Sequence, residues 1–353
     1  MAYSSIVKPS VYFNTKLYTG NGSTQNITGV GFQPDWIWQK ERSGTSYNVA
    51  TDAVRGNTKQ LFPNVAAAEA TDSNYITSFD SDGFGQGQNN DTNESGQTYV
   101  AWNWKANGAG SSNTDGDINS TVSANTTSGL SIVKYTGNGS NDQTVGHGLG
   151  ARPTAWFIKR LNADDWVVYH QGLGATQSAD WYDDTYMYLN SSDAKMGSLN
   201  TGTGNPTSSV FYIGDTARTG LNGDDYIAYV FAQKNGFSKF GNYRGNGNAN
   251  GTFVYTGFKP AWLMMKRSDG VNSWYIFDNK RNVFNVTNSR LKADDSVAES
   301  SNLNTVDFLS NGFKLRDNND AWNYAGGTYI YMAFAENPLV ANSGTDGVPA
   351  TAK

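Results

Sequence analysis

The sequence predicts an all-β protein of three tandem antiparallel β-sandwich modules, jelly-roll or lectin-like in type. Three observations lead there. A turn-and-strand block recurs three times at domain-sized spacing, which indicates repeated modules and not a thin solenoid. The composition, with 39 Gly, 13% aromatic and only 16% charged residues, suits short strands and tight turns better than long amphipathic helices. Strand candidates alternate with Gly, Asn and Asp turn signals several times per hundred residues, as in sandwiches and jelly rolls.

Residues up to about Lys16 form a lead-in. The first block opens with Tyr18-Thr19-Gly20-Asn21-Gly22, matched by Tyr135 to Gly139 and Tyr243 to Gly247. Its Asn-Gly pair favours positive φ, so a primed hairpin turn is expected, flanked by strands at Leu17-Tyr18 and Gln25-Asn26-Ile27. The next strand starts at Pro34, where a missing N–H is tolerated. It has counterparts at Pro153 and Pro260, and each Pro is followed six residues later by Lys40, Lys159 or Lys266. In that register Trp36, Ala155 and Trp262 form one column, and Trp38, Phe157 and Met264 the next on the same face. Ile37, Trp156 and Leu263 lie between them, so both faces are apolar and the strand should be buried on both sides. The tryptophans are therefore read as core.

A second block closes each module. Tyr99 to Trp104, Tyr226 to Phe231 and Tyr329 to Phe334 each follow a turn glycine and end on an aromatic residue five positions after the Tyr. This pattern marks a strand start, and the strand is expected to lie centrally. Tyr99 and Trp104 differ in parity, so they should face different sides unless a bulge intervenes. Phe79 to Phe84 and Phe308 to Phe313 read as hairpins around Asp-Gly and Asn-Gly. Trp166 to Tyr169 and Trp274 to Phe277 read as a matched pair of strands. The expected organisation is a lead-in with module one at 1–107, a Gly/Ser/Asn-rich linker at 108–129, module two at 130–238, module three at 239–340 and a flexible tail at 341–353. Linker chemistry at the first junction would leave module one more independently placed. The short second junction, with Phe237 and Phe240, would hold modules two and three together.

The chain of 353 residues carries a net charge of −5 and no cysteine. Disulfides and thiolate metal sites are excluded, and a general nucleic-acid binder would need a basic face. No signal peptide is visible at the start, and no window approaches a membrane span. The two histidines, His147 and His170, have no matched ligand spacing, and no metal, cofactor or catalytic residue is expected. The pairs Asp164-Asp165, Asp183-Asp184, Asp224-Asp225 and Asp294-Asp295 point to opposite faces if they lie on strands, whereas glycoside hydrolysis needs converging carboxyls. Asp80-Ser81-Asp82-Gly83 could offer oxygens to calcium, but its counterpart has Leu309 and Asn311, and a turn role explains both copies. The best local candidate for stacking on a glycan is the insertion in module two, with Trp181, Tyr182, Asp183 and Tyr186.

These blocks resemble a repeat family in virion proteins of tailed bacteriophages, especially marine ones. The resemblance is carried by Tyr18 to Gly22 with Gly31 to Lys40, by Val145 to Gly150 with Trp166 to His170, and by Gly236 to Gly241 with Phe253 to Phe258. It continues through Asp307 to Lys314 and Gly327 to Pro338, and so covers nearly the whole chain. It implies a non-enzymatic structural protein of the particle, such as a tail fibre, a head fibre or a capsid decoration, with lectin-like sandwich modules and a part in host-surface adhesion. The implied partners are other virion proteins, further copies of the chain (a trimer is one option) and a host-surface glycan, with no membrane insertion. The implied location is the virion, after synthesis in the host cytoplasm. A free carbohydrate-binding module and a polysaccharide depolymerase are the alternatives. The sequence leaves open whether the modules stand in a row or close around a pseudo-threefold axis.

Overall fold

The computed structural model describes residues 4, 6–174, 185–197 and 204–339. Strand accounts for 43% of the described residues and helix for 3%, in several antiparallel sheets with no closed barrel among them. In module one the main sheet runs in the order β1 (Phe13–Thr19), β9 (Thr98–Trp104), β3 (Trp36–Glu41), β4 (Val49–Asp52), β5 (Lys59–Leu61), β6 (Ala70–Thr71). A small sheet of β2 (Gln25–Thr28), β8 (Gly83–Gln86) and β7 (Ile76–Asp80) covers it. Module two repeats this with β10 (Ser111–Asn113), β11 (Ser120–Asn125), β12 (Leu130–Thr136), β18 (Asp225–Phe231), β14 (Ala155–Arg160), β15 (Trp166–His170) and β16 (Met187–Tyr188), covered by β13 (Gln143–Gly146) and β17 (Val210–Ile213). Module three has β19 (Ser238–Arg244), β26 (Thr328–Pro338), β21 (Phe258–Arg267), β22 (Tyr275–Asp278) and β23 (Leu291–Lys292). Its small sheet is β20 (Phe253–Tyr255), β25 (Gly312–Leu315) and β24 (Val306–Leu309).

The closing-block strands β9, β18 and β26 are central, each flanked by the two strands of the opening block. Their alternation places Val100, Trp102 and Trp104 on one side and Tyr99 and Ala101 on the other without a bulge in β9. The expected hairpins β7–β8 and β24–β25 are present. The expected hairpin at Tyr18 to Gly22 is not. The chain crosses there from the main sheet to the small one, and β1 and β2 pair with different partners. Gly20 allows that crossing, because a Cβ on it would lie 2.1 Å from the Glu94 carbonyl oxygen.

Two expectations about module placement are overturned. The 108–129 stretch is no free linker: β10 and β11 extend the main sheet of module two, and Ile118 and Val122 bury there. Backbone pairing at a sheet edge needs few apolar side chains, so its polar composition concealed it. Module one is not set apart either. One continuous apolar cluster takes Trp36, Trp38, Trp102 and Trp104 from module one together with Phe157, Trp166, Tyr229 and Phe231 from module two. Phe240, Trp262, Met264, Trp274 and Phe334 join it from module three. Separate clusters fill the space between each main sheet and its small sheet. The main sheets thus form the inner wall of a three-sided core, and that is why both strand faces read as apolar.

The residues that end the closing blocks meet at the centre. Phe334 lies 5.8 Å from Trp104 and 6.1 Å from Phe231 between ring centroids, and Trp36 stacks on Trp104 at 4.3 Å and on Tyr229 at 4.4 Å. The boundaries between modules repeat with threefold regularity. Asn48, Trp166 and Trp274 stand at one register position, and each donates a side-chain N–H to a carbonyl of a neighbouring module. The acceptors are Lys292 O, Phe62 O and Tyr188 O, at 3.1, 3.0 and 2.8 Å. Three backbone bonds repeat likewise: Glu69 N to Leu161 O, Lys195 N to Ser268 O and Glu299 N to Arg42 O, each 2.8 Å. Module two donates to one, three to two and one to three through the side chains, so the contacts close into a ring around a pseudo-threefold axis.

Candidate functional site

The three copies of each position act as internal controls: what all modules share serves the fold, and what one module alone carries calls for another reason. Asp52, His170 and Asp278 are equivalent, being the partners of Trp36, Ala155 and Trp262 across the strands. In modules one and three the Asp binds a buried Arg three residues on, Asp52 with Arg55 at 2.6 Å and Asp278 with Arg281 at 2.5 Å. Each also accepts from the next module, Asp52 from the Tyr229 hydroxyl at 2.8 Å and Asp278 from the Trp102 indole at 3.0 Å. In module two the position is His170, whose Nδ1 accepts from Gly172 N while Nε2 lies 3.0 Å from Tyr331 O, which requires a proton on Nε2. Burial pushes both His170 and His147 down to about 4. Asp52, His170 and Asp278 are interface fasteners, whereas His147 bonds within module two.

Lys40, Lys159 and Lys266 are fully buried near the C-terminal ends of their strands. Each ammonium donates to the carbonyl of the following residue, and Lys266 reaches Ser192 O of module two at 3.2 Å. Burial lowers each to about 8, partly countered by nearby carboxylates such as Glu41, Asp164 and Asp294.

Of the acid pairs noted in the sequence, Asp164 and Asp165 face Arg160 and Arg218, Asp224 and Asp225 face Arg160 and Lys134, and Asp295 faces Lys292. Asp82 accepts from the backbone N–H groups of Gly29 and Gly31 at 3.0 and 2.7 Å, the turn role expected of it. Among the described residues no three His, Cys, Asp or Glu side chains group as a metal site. Trp181, Tyr182 and Asp183 lie outside the described residues. Tyr186 is corrected as a stacking candidate: it is 7% exposed, in the core of module two, with its ring 5.4 Å from that of Tyr188. A Tyr beside a strand turns inward as readily as outward, and the sequence does not say which.

Among the described residues the copies differ on the outer face of the small sheet in module three. Phe253 and Tyr255 are 44% and 47% exposed, with Val254 between them buried. Register places Asn26 and Thr28 of module one and Thr144 and Gly146 of module two at the same two positions. The fold is thus built twice without aromatics there. Cross-strand from Phe253 is Lys314, and cross-strand from Tyr255 is Gly312, which leaves the tyrosine face open. Lys239 holds its ammonium 5.8 Å from the Tyr255 ring centroid, and Lys314 donates to Gly251 O at 2.8 Å. The carboxylate in this row is Asp307, 3.3 Å from Arg316. A pair of like-facing aromatics flanked by ammonium groups can bind apolar and anionic matter together. A binding surface is expected where the copies differ, and this face is such a place. The aromatic content of β20 was visible in the sequence; its exposure was not.

No curated protein matches the sequence at a significant level. The model of a family described as a domain of unknown function, DUF7483, matches residues 8–338, a span that takes in all three modules and their shared core. The chain is therefore a member of the DUF7483 family.

Proposed function

We propose that the chain is a non-enzymatic structural protein of a tailed-bacteriophage particle, presented at its surface as part of a fibre or decoration. The observation that carries this reading is the closed ring of three modules around one core, together with the resemblance of the repeated blocks to virion proteins. A body that buries large aromatics on both faces of every main sheet resists local opening, a property suited to a particle exposed to the environment. One chain supplies internally the threefold arrangement that a trimer of single modules would otherwise build. The glycan-binding alternative loses Tyr186 as a contact residue. Among the described residues its local support is the Phe253 and Tyr255 face, which would serve adhesion equally well, and Trp181, Tyr182 and Asp183 stay candidates outside them.

Mass spectrometry of purified particles tests the reading. The chain is expected in fixed stoichiometry with the major capsid or tail proteins, and antibody labelling should place it on the particle exterior. Its absence from particles whose genome encodes it would sink the proposal.

A further inference from the structure

We propose that β20 is a docking edge for an extended acidic segment of a partner polypeptide, added as a further strand to the small sheet of module three. The backbone supplies the first argument. Thr252 O accepts from Leu315 N, and Thr256 N donates to Asn311 O. Antiparallel alternation then turns the N–H and C=O groups of Phe253 and Tyr255 away from β25, toward the open side. No described residue pairs with them, and an unpaired edge is a template for another strand.

The molecule itself shows this edge occupied elsewhere. Thr144 of β13 is the counterpart of Phe253, and its carbonyl accepts from Ile118 N at 3.1 Å in a parallel bridge formed by Ile118 and Val145. The Asp117 carboxylate accepts from Thr144 N and Thr144 Oγ1 at 3.1 and 2.7 Å. An acidic bend, Asp115 to Asp117, followed by an apolar residue in a strand-like bridge therefore covers the edge in module two. Among the described residues module three has no such cover, and the connection from β18, which ends at Phe231, to β19, which begins at Ser238, is too short to supply one.

Side chains and charge define the occupant. Phe253 and Tyr255 offer apolar cross-strand surface where module one has Asn26 and Thr28. Lys239 and Lys314 stand beside them, and Asp307 is occupied by Arg316. A second copy of β20 would bring ammonium groups against ammonium groups, so charge disfavours self-pairing and favours a segment with carboxylates around an apolar residue.

An array of nonapeptides built on residues 113–121 tests it, with every residue type placed in turn at the position of Ile118 and a parallel set carrying D115K/D117K. The intact protein should bind the acidic set, favouring apolar residues at the varied position, and bind the lysine set at least tenfold more weakly. The variant F253N/Y255T, which installs the residues of module one, should lose binding at least tenfold with unchanged thermal unfolding. Hydrogen exchange should show peptide-dependent protection of the Phe253 and Tyr255 amides. Absence of peptide binding, equal binding of both sets, or binding untouched by F253N/Y255T would overturn it. So would binding of an alginate trisaccharide that is lost in the variant while no peptide protects those amides, an outcome that assigns the face to an acidic glycan.

Discussion

The Tyr229 hydroxyl donates to Asp52 Oδ2 at 2.8 Å across the boundary between modules two and one. The same carboxylate oxygen binds Arg55 Nε at 2.6 Å, and Arg55 also reaches Glu69 at 3.0 Å. A buried ion pair is thus satisfied partly from within its own module and partly from the next. Tyr229→Phe removes one donor and leaves the carboxylate under-satisfied, so a loss of about 1–3 kcal/mol is expected. Urea unfolding of the variant measures it; a loss below about 0.3 kcal/mol would mean that Arg55 and the backbone N–H groups of Val54 and Arg55 satisfy Asp52 without the hydroxyl. Breaking the pair itself with Arg55→Met should cost more, about 3–5 kcal/mol, because it strands a buried charge.

Because one apolar cluster spans all three modules, unfolding should be a single cooperative transition. Calorimetry is expected to give a calorimetric enthalpy equal to the van't Hoff enthalpy. Three resolved transitions would show that the ring closure contributes little. Trp36→Ala, which empties the centre where Trp104 and Tyr229 stack on that indole, should lower the stability of the whole molecule by about 3–5 kcal/mol.

The two histidines set an acid limit. Both are held neutral, with pKa lowered from 6.5 to about 4 by burial. Between those values the unfolded chain binds more protons than the folded one, so stability is lost as pH falls from 6.5 toward 4. Each contributes up to about 3 kcal/mol of that loss. Asp294, raised by burial to about 6, acts in the opposite sense over part of the window and offsets some of it. Replacing His170 by Gln should flatten the acid limb of a stability–pH curve measured by denaturant titration. An unchanged limb would show that His170 does not report at the boundary with module three.

The buried lysines predict a rise in stability on the alkaline side. Lys40, Lys159 and Lys266 are lowered by burial from 10.5 to about 8. Their charged forms cost stability at neutral pH, and the folded state sheds those protons before the unfolded state does. Stability should therefore climb between pH 8 and 10, by up to about 3 kcal/mol per lysine. Above pH 10 the tyrosines reverse the trend, since burial raises Tyr99 and Tyr226 while unfolded tyrosines ionise. Unfolding midpoints in urea at pH 7.5, 8.5 and 9.5 check this, and a flat or falling series would contradict it.

Much of this architecture was legible from residue order alone. Register between copies identified the central strand from Tyr99, Tyr226 and Tyr329, and strand parity showed that Trp36 and Ile37 must both be covered. The hairpin expected at Tyr18 failed because an Asn-Gly pair permits a tight turn without stating which sheet the next strand joins. The polar stretch after Asn107 failed as a linker because edge pairing depends on backbone groups that composition does not reveal.

Sequence by itself determined the all-β class, the three repeats and the doubly buried strands, since these follow from local periodicity and turn chemistry. Tertiary structure decided what covers the second face of those strands. That answer depends on contacts between residues over a hundred positions apart, Phe334 against Trp104 or Tyr229 against Asp52, which no local pattern encodes. It also decided that Tyr186 turns inward while Phe253 and Tyr255 face out. Burial is set by the neighbours that closure brings near, and only the folded ring supplies them.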